Sequence, residues 1–365
     1  MKTKVTILGG GNGAFAAAAD LTSRGYLVTI YEDERFRANV EGILESRTIH
    51  CAGVGPVGDF RIEKVTFDLG EALEGTDVIM PIAPAYAQEV VAKSLAPYLK
   101  PGDKIVLTPG STGGALVFAK VLRDAGKLEG VRIAEMHTLP YATRKVDPST
   151  VNILLMCDLL YFAAFPAKYN QEMYELVKPM FPAICLVSDV LETSLNNGNA
   201  SSHPAPVVLN AGKIEYYGKH FHYKEGITPS VAKVNQEIDN ERMRICEAFG
   251  YQKVDIKERL YRMGYCPKAD DLYQSYQGSK EIFLKIEGPN DLNGRYLTED
   301  APCSLVAMAE LAKVAGVSTP LMDSVVYLAS ALKTENYWET GRTLEKLGLA
   351  GMNKEEIGQL LQFGY

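Results

Sequence analysis

Residues 4–32 read KVTILGGGNGAFAAAADLTSRGYLVTIYE. Val5, Ile7 and Leu8 form a short apolar run that breaks at Gly9-Gly10-Gly11-Asn12-Gly13-Ala14; an alanine-rich stretch follows, and Leu27 to Tyr31 ends on Glu32. Strand, glycine turn, helix and strand are the parts of a βαβ unit, and the turn fits G-x-G-x-x-A. Each small residue has a physical task. Gly9 permits the tight turn, Gly11 lets the backbone come close to a pyrophosphate, and Ala14 lets the helix lie near the strand. With Asn12 and Gly13 they bring the orphan N–H groups and the positive dipole end of the helix to face the phosphates of a dinucleotide. Glu32 is placed to accept hydrogen bonds from the adenosine ribose and to repel a 2′-phosphate, so NAD(H) is preferred. Arg35 and Arg37 follow closely enough for one of them to reach a 2′-phosphate, which leaves NADP(H) open.

Outward from this unit, strand and helix patterns alternate as in a doubly wound α/β sheet. The pattern predicts a polar helix over 35–44, strands over 61–67 and 77–81, a helix over 84–99, a strand over 104–107, a helix over 115–125 and a strand over 131–136. Residues 150–157 and 159–165 read as an extended pair closing the sheet. Ligands bind such sheets at the carboxyl ends of the strands. The turn at 9–14, the loop at 81–86 with Ala83 and Pro84, and the loop at 109–114 are therefore candidates. Near Val187 the apolar spacing changes to i/i+3/i+4, which divides the chain into a dinucleotide-binding domain, 1–187, and a helical domain, 188–365. Residues 191–217 read as one long helix kinked at Gly198 and Pro204, and helices over 229–249, 302–315, 320–332 and 353–363 follow.

The chain has 365 residues, enough for two cores, and a net charge of −7 without a basic run, which argues against a nucleic-acid surface. Six cysteines without a C-x-x-C pattern suit a reduced compartment. No signal-peptide pattern opens the chain, and its longest apolar tract, 151–167, is broken by Asp158 and Pro166. A cytoplasmic protein without a membrane partner is expected. The terminal amphipathic helices leave room for a homodimer interface.

Three further segments resemble a known family: IAEMHTLPYATR at 133–144, NASSHP at 199–204 with Leu209-Asn210, and RYLTED at 295–300 with Pro302. Together with the amino-terminal G-x-G-N-G-A and the loop from Pro109 to Ala115, they are similar to the opine dehydrogenases over nearly the full length. The resemblance implies a Rossmann-type domain followed by an all-α domain of the 6-phosphogluconate dehydrogenase C-terminal kind, with the active site between them. It implies an enzyme that joins an amino acid, or another amine, to a 2-oxo acid and reduces the imine. By motif, His203 and Asp300 correspond to the catalytic dyad and Arg295 to a ligand of substrate carboxylate; Asn199 and Arg144 are weaker substrate-binding candidates.

The chemistry fits those residue types. Imine reduction needs a proton source as well as a hydride, and an imidazole titrates near neutrality. A carboxylate on its second nitrogen fixes the tautomer. The central structural expectation is that His203 and Asp300 meet. Against it, Asp300 just before Pro302 also reads as a helix N-cap. No metal site is expected: His220 and His222 alternate without a Cys or carboxylate at ligand spacing. His137 lies in the resembling segment with no assigned role. Two other functions compete, a C–OH dehydrogenase of ketopantoate-reductase or hydroxyacid type, for which Lys213 or Lys280 would be the catalytic lysine, and a non-catalytic dinucleotide sensor.

Overall fold

The computed structural model describes residues 2–365 and divides into two compact units. The first comprises residues up to 110, 114–190 and 361–365; the second comprises 111–113 and 191–360. The second unit thus takes three residues of the 109–114 loop, and the chain's last five residues return to the first.

The strands of the first unit are β1 (Lys4–Leu8), β2 (Leu27–Tyr31), β3 (Thr48–Gly53), β4 (Gly58–Arg61), β5 (Lys64–Thr66) and β6 (Val78–Pro81). After them come β7 (Lys104–Leu107), β8 (Arg132–Met136), β9 (Tyr141–Lys145), β10 (Thr150–Met156), β11 (Leu160–Phe165) and β12 (Ile184–Leu186). Eight make one sheet in the order β12-β11-β8-β7-β6-β1-β2-β5, parallel except where β11 runs against β8. From β1 the chain moves one way to β2 and β5, then returns to β6 and moves the other way. The direction therefore reverses between β1 and β6, where an α/β sheet opens its ligand crevice.

The other four strands form a small sheet, β4-β3-β10-β9, that the sequence reading missed. It corrects the expected extended pair. The strand at 150–156 joins the small sheet beside β3 and β9, while the strand at 160–165 joins the large one. Helix α1 (Asn12–Ser23) packs on β2 and on strands β3, β9 and β10, so every residue from Gly13 to Leu21 is buried. A run of alanines without a polar face suits that enclosure. Buried Asp20 is satisfied there by the Tyr141 hydroxyl at 2.7 Å and by Arg24 at 2.9 Å.

Other corrections are local. Residues 35–44 form two 3₁₀ turns, Glu34–Asn39 and Glu41–Ile43, and the helix expected over 84–99 is a 3₁₀ turn leading into Gln88–Leu95. In the second unit the long helix expected over 191–217 is four short ones, Val190–Leu195, Asn199–Ser202, Pro204–Leu209 and Ala211–Tyr217. Pro204 has no N–H to continue the preceding turn and begins a helix instead. The helix expected from Pro302 opens as a π turn, Ala301–Leu305, before Val306–Ala315. The carboxy-terminal helix Lys354–Phe363 buries Ile357, Leu360 and Leu361. No described helix is long and apolar enough to cross a membrane.

Candidate active site

The glycine turn leaves β1 at the reversal point. Gly9 has φ +124°, and a Cβ there would stand 2.7 Å from the Ile82 carbonyl oxygen in the loop after β6. That loop, Ile82–Pro84, is tied back by the Ile82 N–H to the Leu8 carbonyl at 2.9 Å, which brings Ala83 and Pro84 beside the turn. Gly11 is the opposite case. A Cβ on it would meet nothing within 4 Å, and helix α1 behind it begins with no side-chain cap and no acid in its first turn. An open approach to uncapped N–H groups suits a pyrophosphate. Asn12 uses its Oδ1 to accept the Lys145 N–H at 2.8 Å, tying the start of the helix to β9.

These two glycines predict different defects. Gly9→Ala strains the backbone and collides with Ile82, and is expected to cost about 2 kcal/mol of stability in urea unfolding. Gly11→Ala is expected to change stability by less than about 0.5 kcal/mol while weakening NAD(P)H binding about tenfold or more in a fluorescence titration. Equal binding by Gly11→Ala and the parent would count against a phosphate at this turn.

Glu32 has a task beyond the one expected of it. Its carboxylate accepts the Gly10 N–H at 2.8 Å, the Asn39 amide at 2.9 Å and the Asp33 N–H at 3.0 Å, stapling the glycine turn to the end of β2. Arg35 is held by Asp33 and Arg37 by Glu34. The hydrogen bonds of Arg35 hold the Asp33 carboxyl down to about 2.

In the second unit, His203 and Asp300 meet. The His203 Nδ1 and Asp300 Oδ2 are 2.8 Å apart, and each residue is only 6% exposed. His203 sits at the break between Asn199–Ser202 and Pro204–Leu209, its N–H bonded to the Asn199 carbonyl at 3.0 Å. Asn199 therefore shapes the turn that presents the imidazole. Asp300 precedes the π turn but makes no side-chain cap to it, so its carboxyl serves the histidine rather than the helix. Burial pushes the Asp300 carboxyl well above its ordinary value; the Glu299 charge adds to the rise and Arg295 opposes it.

The rest of the cage was not anticipated. His203 Nε2 lies 3.0 Å from the Tyr223 hydroxyl, and the imidazole stacks on Tyr296 at 3.7 Å between centroids and 8° between planes. Tyr223 lies on a second π turn, His222–Gly226, and its ring stacks on Phe283 at 4.2 Å. Only the fold brings Tyr223 to the dyad; interrupted helices of this kind recur at functional sites. His222 packs edge-on against His203 at 5.6 Å and points Nε2 to the Ser202 carbonyl at 3.0 Å. Burial, with the neighbouring His203, pushes it down to about 3, so it stays neutral beside the dyad. Among the described residues no cluster of metal-ligating side chains occurs.

The remaining candidates are scattered. Arg295, 62% exposed in its side chain, gives its Nε–H to the buried Glu299 at 2.5 Å. Arg144 lies on β9 in the first unit, donating to the Thr143 carbonyl at 2.9 Å. His137 is a core residue of the first unit whose Nδ1 accepts the Tyr161 N–H at 3.0 Å. Thr112, in the third candidate loop, is held within the second unit by Asn197 and Arg342, which suits a structural loop. Lys213 faces Glu225 at 3.7 Å.

Residues 186–333 match the family model described as NAD/NADP octopine/nopaline dehydrogenase, alpha-helical domain. An opine dehydrogenase of Arthrobacter sp. (strain 1C) is 36% identical over 351 residues, covering 96% of both chains. The protein ocs of Agrobacterium vitis is 29% identical over 98% of this chain and 99% of its own. Among solved structures, octopine dehydrogenase with NADH and L-arginine superposes with a TM-score of 0.78 at 22% identity, covering 99% of this chain and 98% of that one.

Proposed function

Because the chain belongs to the opine dehydrogenase family, and so is an NAD(P)-dependent oxidoreductase that reductively condenses an amino acid with a 2-oxo acid, we propose that His203 is its acid–base residue and Asp300 the partner that orients it. The 2.8 Å bond between two buried side chains 97 residues apart in sequence carries this reading. The Asp300 bond commits Nδ1 and leaves Nε2 as the nitrogen that exchanges protons. Nε2 takes a proton from the substrate ammonium so that the amine can attack the oxo carbon. It returns a proton to the hydroxyl that leaves as water when the C=N bond forms. When bound, the nicotinamide supplies the hydride that reduces the imine carbon. The π stack on Tyr296 and the edge of His222 keep the imidazole in plane through both transfers.

Arg295 is the proposed ligand of a substrate carboxylate, its guanidinium plane oriented by Glu299. Asn199 supports the histidine turn, and Arg144 is a secondary carboxylate candidate. On the first unit, Gly9, Gly11, Asn12, Gly13, Ala14, Glu32, Ala83 and Pro84 are the proposed cofactor residues. The free cysteines suit a cytoplasmic enzyme.

The anchored Glu32 carboxylate, with Arg35 and Arg37 drawn to their own acidic neighbours, supports NAD(H) as the preferred cofactor. Initial rates with pyruvate and a panel of amino acids test both parts. Nicotinamide oxidation is expected only when amine and oxo acid are both present, with kcat/KM for NADH exceeding that for NADPH by about tenfold, or ~1.4 kcal/mol. Oxidation with the oxo acid alone would speak for a C–OH dehydrogenase instead. Equal use of both cofactors would remove the argument from Glu32.

A further inference from the structure

Reductive condensation of an ammonium and an oxo group consumes one proton from solution per turnover. The hydride supplies one hydrogen of the product, and the departing water and secondary ammonium together need one more than the substrate ammonium carries. The imidazole gives its first proton back to the departing water, so the further proton, which the nitrogen of the reduced product takes up, has to reach an imidazole that is almost entirely enclosed. Its Nδ1 is taken by Asp300, one face is covered by Tyr296, and His222 packs at its edge. At Nε2 stands the Tyr223 hydroxyl, 3.0 Å away. The Tyr223 hydroxyl is in turn a hydrogen-bonding neighbour of Tyr296, which is only half-buried.

Resting on the reading of His203 as the acid–base residue, we propose that Tyr223 and Tyr296 form the path by which the consumed proton reaches His203. Once water has left, the imidazole is neutral, Nδ1–H donates to Asp300, and Nε2 accepts the Tyr223 O–H. Reloading moves three protons in concert. A hydronium ion or buffer acid gives one to the Tyr296 oxygen as the Tyr296 hydrogen passes to the Tyr223 oxygen and the Tyr223 hydrogen passes to Nε2. The products are two neutral phenols and an imidazolium, which gives its Nε2 proton to the nitrogen of the reduced product and returns to the neutral form. Neither tyrosine has to ionise, which agrees with burial and the neighbouring hydroxyls pushing Tyr223 well above its ordinary value. Tyr223 is thus a proton-handling residue that works through His203.

The test is Tyr223→Phe, which removes the hydroxyl and keeps the ring that stacks on Phe283 and Tyr276. Its kcat is expected to fall about tenfold or more, with thermal midpoint and NADH affinity close to the parent. The solvent deuterium isotope effect on kcat should rise, and the effect of 4-deuterated NADH should shrink toward one, because proton delivery then limits turnover. Imidazole added to the buffer should restore part of the rate. A kcat within about twofold of the parent overturns the path, as does a fall in kcat that leaves both isotope effects unchanged, which marks a residue that only positions the ring. His203→Asn separates the two readings. Loss of turnover in His203→Asn with full turnover in Tyr223→Phe removes the path alone, whereas full turnover in His203→Asn removes the dyad and the path together.

Discussion

Replacing His203 with asparagine is expected to lower kcat by roughly a hundred- to ten-thousandfold, the usual contribution of a positioned acid–base group. Asparagine is the informative choice. Its amide nitrogen falls close to the position of Nδ1 and can still donate to Asp300, so the buried carboxyl keeps its partner. Only Nε2, the atom proposed to move the proton, is lost. Alanine would also leave a void against Tyr296 and strand Asp300, mixing a folding defect with the chemical one. The glycine turn belongs to the first unit, so NADH affinity should not change. Stopped-flow traces with saturating amine and oxo acid, beside a fluorescence titration with NADH, measure the two quantities. A variant that binds NADH normally and turns over within about threefold of the parent would sink the assignment of His203 as acid–base residue.

The largest effect on stability is expected at Asp239, on the long helix Pro229–Ala248. Its carboxylate accepts from Arg242 at 2.7 Å, from Arg259 at 2.7 Å, from the Ile256 N–H at 2.8 Å and from the Ser201 hydroxyl at 3.3 Å. Arg242 and Arg259 also hold the carbonyls of Leu195 and Asn196, the segment that leads to His203. All three charged side chains are buried. Asp239→Ala leaves two guanidinium groups without their counter-ion and is expected to cost about 3–5 kcal/mol. Trp338, the single tryptophan, lies in the same unit and reports its unfolding in urea. A loss below about 1 kcal/mol would mean that the network is solvated enough to relax.

The same carboxylate gives a pH dependence of definite sign. Burial alone would raise Asp239, but Arg242 and Arg259 outweigh it and the net shift is downward. The unfolded chain therefore binds this proton at higher pH than the folded one does. The stabilisation is complete above the ordinary carboxylate range and is lost as pH falls below it toward the depressed folded value. Asp239→Ala should flatten the acid limb of the parent's stability curve.

How much was legible in the sequence depended on how local the determining contacts are. The glycine turn, strand β1 and the acid at the end of β2 lie within a few turns of one another and could be read residue by residue. The small sheet could not. Strands β3, β4 and β9 are short and largely exposed on one face, and Gly53, Gly55 and Gly58 between them read as loop. A signal was nevertheless present in the alanine run of α1, because a helix with no polar face needs cover on both sides. In the second unit the spacing rightly indicated helices, but Gly198 and Pro204 divide the segment that carries His203. The dyad was visible only through resemblance, since no periodicity relates positions so far apart. Tyr223 reaches it on a π turn, a backbone feature with no clear signature in composition, and Tyr296 reaches it from the four-residue helix Arg295–Thr298. The Arg295–Glu299 pair is the reverse case: its i, i+4 spacing is local and legible in the sequence.

The enclosure of α1 has a consequence for how the enzyme meets its cofactor. A helix gripped by the large sheet on one side and by the small sheet on the other has no room to tilt or slide, and Lys145 and Glu32 fasten the two ends of the glycine turn to that frame. The turn proposed to cradle the phosphates is consequently held in place before a dinucleotide arrives. Ordering it belongs to folding, and little conformational entropy is left to lose on association. Exchange of spent for fresh cofactor on each turnover can then proceed without remodelling the surface that holds it.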